Sequence, residues 1–80
     1  MHEASLMYEI IQTVQNTAKE HDINKVTSIE LTIGDQLSIL PEALFFAFEC
    51  LKKGTILKDS IIKWEISPGR EFYLAYIEGE

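Results

Sequence analysis

Cysteine is almost missing: Cys50 is the one copy in 80 residues. That excludes an internal disulfide and the paired Cys-x-x-Cys ligands of a structural zinc site. No apolar run approaches the ~18 residues that a membrane span needs, and no secretory h-region follows the first residues, so a cytoplasmic protein is expected. Positive charge is also scarce. Seven Lys and Arg stand against 13 Asp and Glu, a net charge of -6. The basic clusters that nucleic-acid phosphates reward are lacking, so neither nucleic acid nor a membrane is an expected partner. With 4 Gly and 2 Pro against 46% hydrophobic residues, the composition is that of a globular chain and not a disordered one. What remains is a single small domain, 1–80, of a length at which roughly 60–65% of the unfolded chain's surface can be buried.

The apolar residues that are present fall into two periods. From Ala4 to about Glu20, Leu6, Ile10, Val14 and Ala18 recur every four residues with Met7 and Ile11 beside them, which predicts an amphipathic helix. His21-Asp22-Ile23-Asn24 ends it, and His21 takes a helix-end role. From Lys25 to Ile33 the period becomes two: Ile29, Leu31 and Ile33 alternate with Ser28, Glu30 and Thr32, as a half-buried strand requires. In the following loop Leu37, Ile39 and Leu40 are expected to pack back on the core. Pro41, Glu42, Lys52-Lys53 and Gly54 punctuate a second helix. Its core face is Leu44, Ala47, Phe48 and Leu51, widened by Phe45 and Phe46.

Two more alternating stretches complete the chain. Ile62, Trp64 and Ile66 oppose Ile61, Lys63 and Glu65; then Phe72, Leu74 and Tyr76 oppose Tyr73, Ala75 and Ile77. The helix between strands one and two predicts a parallel pair, and the short link Ser67–Arg70 predicts that strands two and three form an antiparallel hairpin. The fold class expected is α/β (α+β), two helices packed on one face of a three-stranded mixed sheet, in the order α-β-α-β-β. The other face, with Ser28, Glu30 and Thr32 and the strand-two residues Lys63 and Glu65, is either wet or paired with a second copy in a homodimer.

Chemistry concentrates at the beginning. A histidine directly after the first methionine places three nitrogen donors in one dipeptide: the α-amine of Met1, the backbone nitrogen of His2 and the Nδ1 of His2. Together they close a five- and a six-membered ring around one ion. Deprotonating a peptide nitrogen takes a strongly polarising metal, and a square nitrogen plane suits Ni(II) or Cu(II) better than Zn(II). The site trans to the His2 backbone nitrogen must be filled from elsewhere. Glu3, through its carboxylate or its amide, is the nearest candidate, and it is equally well placed as a helix-start acid. Met1 is expected to be retained, because trimming needs a small residue behind it. No catalytic residue is legible. Cys50 sits on a helix as a small apolar residue, and no spacing joins it to His2 or His21 as a nucleophile.

Several stretches together resemble one family across nearly the whole chain. They are Met1-His2-Glu3 with Ser5, the strand Val26–Gly34, Leu37-Ser38, Pro41-Glu42-Ala43-Leu44, Phe46-Ala47-Phe48-Glu49, Lys53-Gly54-Thr55, and Gly69-Arg70-Glu71-Phe72 through Ile77-Glu78. The chain is similar to the HypA-type nickel-incorporation proteins, metallochaperones for hydrogenase and, in some organisms, urease. The resemblance implies His2 as the essential Ni(II) ligand, with the Met1 amine and nearby backbone nitrogens completing the site. It also implies transfer of the metal toward a hydrogenase large-subunit precursor with help from a GTPase accessory protein, and no enzymatic activity. One departure is large. Family members carry a zinc domain with two Cys-x-x-Cys pairs before the last strand, and here it is absent at about 67–70, so no zinc is expected. The rival reading is a protein-interaction or dimerisation module left after loss of that domain and indifferent to nickel.

Overall fold

In the computed structural model, which describes residues 2–80, five elements follow in the expected order: α1 (Glu3–Glu20), β1 (Val26–Gly34), α2 (Pro41–Leu51), β2 (Ile61–Ser67) and β3 (Phe72–Gly79). α1 buries Met7, Ile10, Ile11, Val14 and Ala18 and half-buries Leu6, the stripe its four-residue spacing predicts. It stops without a glycine because Asp22 takes the left-handed conformation, φ 56°, which a short polar side chain tolerates better than most. Asp22 N–H then donates to the Lys19 carbonyl and Ile23 N–H to the Ala18 carbonyl at 2.8 Å. This double closure satisfies the last carbonyls and drops Ile23 against the core.

β1 lies between the other two strands, in the order β2-β1-β3. β2 runs parallel to it from Ser28↔Ile61 to Gly34↔Ser67, as a helical crossover demands. The expected hairpin of strands two and three does not form: β3 pairs antiparallel with β1, from Val26↔Gly79 to Ile33↔Phe72. Link length does not separate the two arrangements, since the neighbours of a central strand lie about 9.5 Å apart and four residues span that readily. Burial does. Val26, Ile29 and Leu31 are fully buried and Ser28 and Thr32 nearly so, whereas β2 and β3 carry exposed residues along most of their length.

The link crosses the end of β1 in close contact with it. Asp35 N–H donates to the Ser67 carbonyl and Gln36 N–H to the Gly69 carbonyl, both at 2.8 Å, while Gly69 N–H donates back to Asp35 Oδ1 at 3.0 Å. Gly34 makes the crossing passable. A Cβ there would sit 2.5 Å from the Gly69 carbonyl oxygen and 2.7 Å from the Glu71 nitrogen.

Two irregularities in the β1–β3 ladder correct the predicted faces. The register shifts between Val26 and Ser28 and again between Glu30 and Leu31, leaving Thr27 and Ala75 as extra residues. Such a bulge reverses the alternation beyond it. Val26 therefore joins Ile29, Leu31 and Ile33 in the core, and Ile77, not Tyr76, continues the half-buried row of Phe72 and Leu74. Tyr73 and Tyr76 stand on the open face.

The helices cover one face of the sheet over β1, where Leu44, Ala47 and Phe48 of α2 complete the core with Ile39, Leu57 and Ile62. Several apolar residues expected inside are not. Phe45 and Phe46 flank the α2 stripe and are exposed, Leu40 is exposed although Ile39 is buried and Leu37 half-buried, and Trp64 and Ile66 are exposed on β2. Edge strand β2 carries its row past the cover that the helices give β1. Gly54 is left-handed, φ 76°, as predicted for the turn after α2. Lys52 at that helix end bridges Glu49 at 2.9 Å and donates to the Ser60 carbonyl at 3.0 Å.

Candidate metal centre

His2 occupies the N-cap position of α1, with φ -93° and ψ 87°. Its carbonyl accepts the first helical hydrogen bond, from Leu6 N–H at 3.1 Å. Its side chain is exposed and makes no capping bond. Glu3 follows as the first helical residue, and N–H groups of a first turn have no partner within the helix. The chain thus presents the His2 imidazole and two consecutive backbone nitrogens at a helix end, without structural duties for the ring. Met1, the third nitrogen source, lies outside the described residues.

The Glu3 carboxylate is engaged. Its Oε2 accepts a hydrogen bond from Leu40 N–H at 3.2 Å, and Leu40 is the N-cap residue of α2. One carboxylate therefore sits at the positive ends of two helices, 37 positions apart in sequence. The Leu40 hydrogen bond is the main cause that holds the Glu3 carboxyl below its ordinary 4.5, with the charge of His2 a lesser one. Because the folded value is depressed, the link is complete above the ordinary carboxylate range and is lost as pH falls through the folded value. No feature of the Glu3 sequence context announces this contact. The one available signal was Pro41, which marks the start of α2 and hence a cluster of unpaired N–H groups in need of an acceptor.

A cation brought to this corner meets two positive helix ends. Its binding is favourable only where negative charge is close by, and the Glu3 carboxylate and a deprotonated His2 amide are the groups that supply it. A carboxylate already bonded to Leu40 must leave that partner, or share it, before it can complete a metal's plane.

The remaining candidates lie elsewhere. The 18 residues of α1 put His21 about 27 Å from His2 at 1.5 Å per residue, too far to share an ion. Cys50 is exposed near the far end of α2, about 15 Å along the helix from Leu40, so the structure does not bring it to His2. Among the described residues no three His, Cys, Asp or Glu side chains converge as a metal cluster. Among the described residues a ligand set made of side chains alone is thus not available, which leaves the backbone nitrogens at the amino end as the candidate donors.

The family model for hydrogenase/urease nickel incorporation, metallochaperone, HypA, matches residues 1–78. The hydrogenase maturation factor HypA of Moorella thermoacetica is 37% identical over 70 residues, covering 88% of this chain and 62% of that protein. Its counterpart in Rhizobium leguminosarum bv. viciae is 33% identical over 63 residues, covering 79% of this chain and 56% of that one. This chain spans about three-fifths of the length of these relatives. The solution structure of the Ni metallochaperone HypA from Helicobacter pylori shares the fold, with a TM-score of 0.78 at 19% identity, over 95% of this chain and 72% of that one. From the match of the family model over nearly its whole length, the chain belongs to the HypA family of hydrogenase/urease nickel-incorporation metallochaperones.

Proposed function

We propose that this chain takes up Ni(II) at its amino end and delivers it, in the cytoplasm, for the maturation of NiFe hydrogenase or urease. The metal is cargo, and no catalytic step is assigned to the chain. Three donors form the grip: the Met1 α-amine, the His2 backbone nitrogen and His2 Nδ1. A tetragonal nitrogen plane selects Ni(II) or Cu(II) over Zn(II). Glu3 supplies the compensating charge and, through its carboxylate or amide, is the nearest fourth donor. Because its carboxylate also holds the start of α2, a plane completed by Glu3 opens again when Leu40 recaptures the oxygen. Such a site releases its ion to a recipient without unfolding.

The observation that carries the proposal is His2 itself, exposed at a helix N-cap with its ring uncommitted. Family membership supports the direction of transfer, toward a hydrogenase large-subunit precursor with a GTPase accessory protein as co-worker. Zinc is no part of the proposal, because one cysteine cannot make Cys-x-x-Cys pairs. The short crossing at 67–70 stands where the family's zinc domain is expected. Isothermal titration with Ni(II), Zn(II) and Cu(II) tests the site: tight nickel binding by the untagged chain, lost in His2→Ala with the fold unchanged, is expected. An unaltered nickel isotherm in that variant overturns it.

A further inference from the structure

The chain has five carboxamide side chains, and four of them meet at one place. Gln12, Gln15 and Asn16, with Lys19, recur at i, i+3, i+4 and i+7 along α1, a polar stripe beside the buried one of Ile11, Val14 and Ala18. This stripe is one wall of an open cleft. Asn24 and the turn from Thr55 to Asp59, between α2 and β2, form the other, and Gln15, Asn24 and Ile56 border the cleft along both of its halves. Its floor is Ile23 and Ile56, half-buried and packed on the core. The far wall is fixed: Thr55 Oγ1 donates to the Lys52 carbonyl at 2.7 Å and accepts from Leu57 N–H at 3.0 Å, while Val26 N–H donates to the Ile56 carbonyl at 3.0 Å. The groups that line it are uncommitted. None of the four carboxamides has a hydrogen-bond partner for its side chain among the described residues, and Lys19, Lys25 and Lys58 on its rim form no ion pair there.

We propose that this cleft binds a short extended segment of another polypeptide that carries carboxylate side chains. A carboxamide offers two N–H donors and an oxygen acceptor, the complement of the carbonyl and N–H that each peptide group presents. From Gln12 to Lys19 α1 rises about 10 Å, the reach of three extended residues at about 3.3 Å each. The Ile23–Ile56 floor takes one small apolar side chain. Charge decides what else the segment carries. Lys19, Lys25 and Lys58, with Lys52 and Lys53 just beyond α2, gather five of the seven basic residues at this end of a chain of net charge -6, so an acidic segment repelled elsewhere is admitted here. Asp22 and Asp59 stand on the same rim. They disfavour a polyanion, which would meet both, whereas separate carboxylates can be seated at the lysines alone. Neither an arginine nor a helix N-terminus, the common partners of phosphate, faces the cleft, to which α1 turns its C-terminal half. Gln12 lies about 15 Å along α1 from His2, so the cleft and the proposed nickel site share no residue.

The test uses the whole 80-residue chain, with its side-chain amide resonances followed one by one while a blocked tetrapeptide of alternating glutamate and valine is added. The expected result is that Gln12, Gln15, Asn16 and Asn24 shift together along one saturation curve with a midpoint of roughly 1 mM or below. Gln36, which lies on the crossing with its N–H bonded to Gly69, stays still. A blocked tetrapeptide of lysine and valine, and inorganic phosphate, act about tenfold or more weakly. Gln15→Leu removes a carboxamide common to both halves of the cleft and weakens the glutamate peptide about three- to tenfold. The double variant K25E/K58E weakens it about tenfold or more. Both variants keep the parent's unfolding curve. Carboxamides that do not move with the glutamate peptide overturn the proposal, and so does a response as strong to the lysine peptide or to phosphate. An affinity indifferent to both variants overturns it as well. Nickel titration of Gln15→Leu and peptide titration of His2→Ala are each expected to match the parent, so failure of the nickel site and failure of this cleft are read separately.

Discussion

The amino end and the crossing at residues 67–71 are both short and largely exposed, and they divide the molecule's work in opposite ways. At the crossing the backbone is tied down at three residues: Ser67, Gly69 and Glu71 bond to Gly34, Asp35 and Gln36. None of the side chains there offers a soft metal donor. At the amino end the His2 ring is bonded to nothing among the described residues, yet it stands beside the backbone nitrogens that a square plane needs. The proposed binding chemistry thus sits where the fold asks least, and the fold is closed where no metal donor is offered. Glu3 is the exception, bonded to the start of α2 and, in the proposed site, a neighbour of the metal as well.

If that division is right, substitutions at the two places have separable effects. His2→Ala is expected to weaken nickel binding at least ~100-fold, about 2.7 kcal/mol. Its thermal unfolding should match the parent, and His21→Ala should leave the nickel isotherm alone. Loss of binding in His21→Ala instead would break the comparison. Gly34→Ala works the other way. A Cβ 2.5 Å from the Gly69 carbonyl oxygen forces the crossing to shift, with an expected loss of about 2 kcal/mol or more in urea unfolding and an intact nickel stoichiometry in the fraction that remains folded.

Glu3 sharpens the contrast, since it belongs to both sides. Glu3→Ala is expected to weaken nickel binding by roughly tenfold, the scale of losing a supporting group around a metal ligand, and to move the Leu40 amide resonance. A smaller effect comes from acid alone. Because the Leu40 hydrogen bond holds the Glu3 carboxyl below 4.5, the Leu40 amide shift should stay constant above the ordinary carboxylate range. It should then titrate with a midpoint below that range as the carboxylate is protonated. A midpoint at or above the ordinary value would show that the link contributes nothing.

Local pattern made the elements legible. The four-residue spacing from Leu6 to Ala18 and the alternation from Ile29 to Ile33 depend only on neighbours, and both helices and all three strands fall where those periods put them. Of what depends on chain segments meeting, the parallel pairing of β1 with β2 was legible from the helical crossover, and the place of β3 was not. A four-residue link suits a hairpin or a crossing equally, so the sheet order came from the burial of β1 on both sides and not from the link. The bulges at Thr27 and Ala75 insert one residue each, which periodicity cannot foresee, and so Tyr76 and Ile77 exchange faces. The exposure of Phe45, Phe46, Trp64 and Ile66 follows from where the helical cover ends, a property of packing. At the amino end His2 and Glu3 were candidates from position alone, whereas the Leu40 N–H that restrains Glu3 comes from 37 positions away.

The most direct test of the central claim is to block the first amino group and change nothing else. Nickel titrated calorimetrically into the untagged chain should bind tightly at one ion per chain, and more weakly as pH falls, because amine, imidazole and amide must all lose protons to the metal. The same chain acetylated at its amino terminus should lose that binding while its unfolding curve is unchanged. Equal nickel affinity in the free and acetylated forms would contradict the account, because the metal would then be held somewhere other than the Met1-His2 chelate.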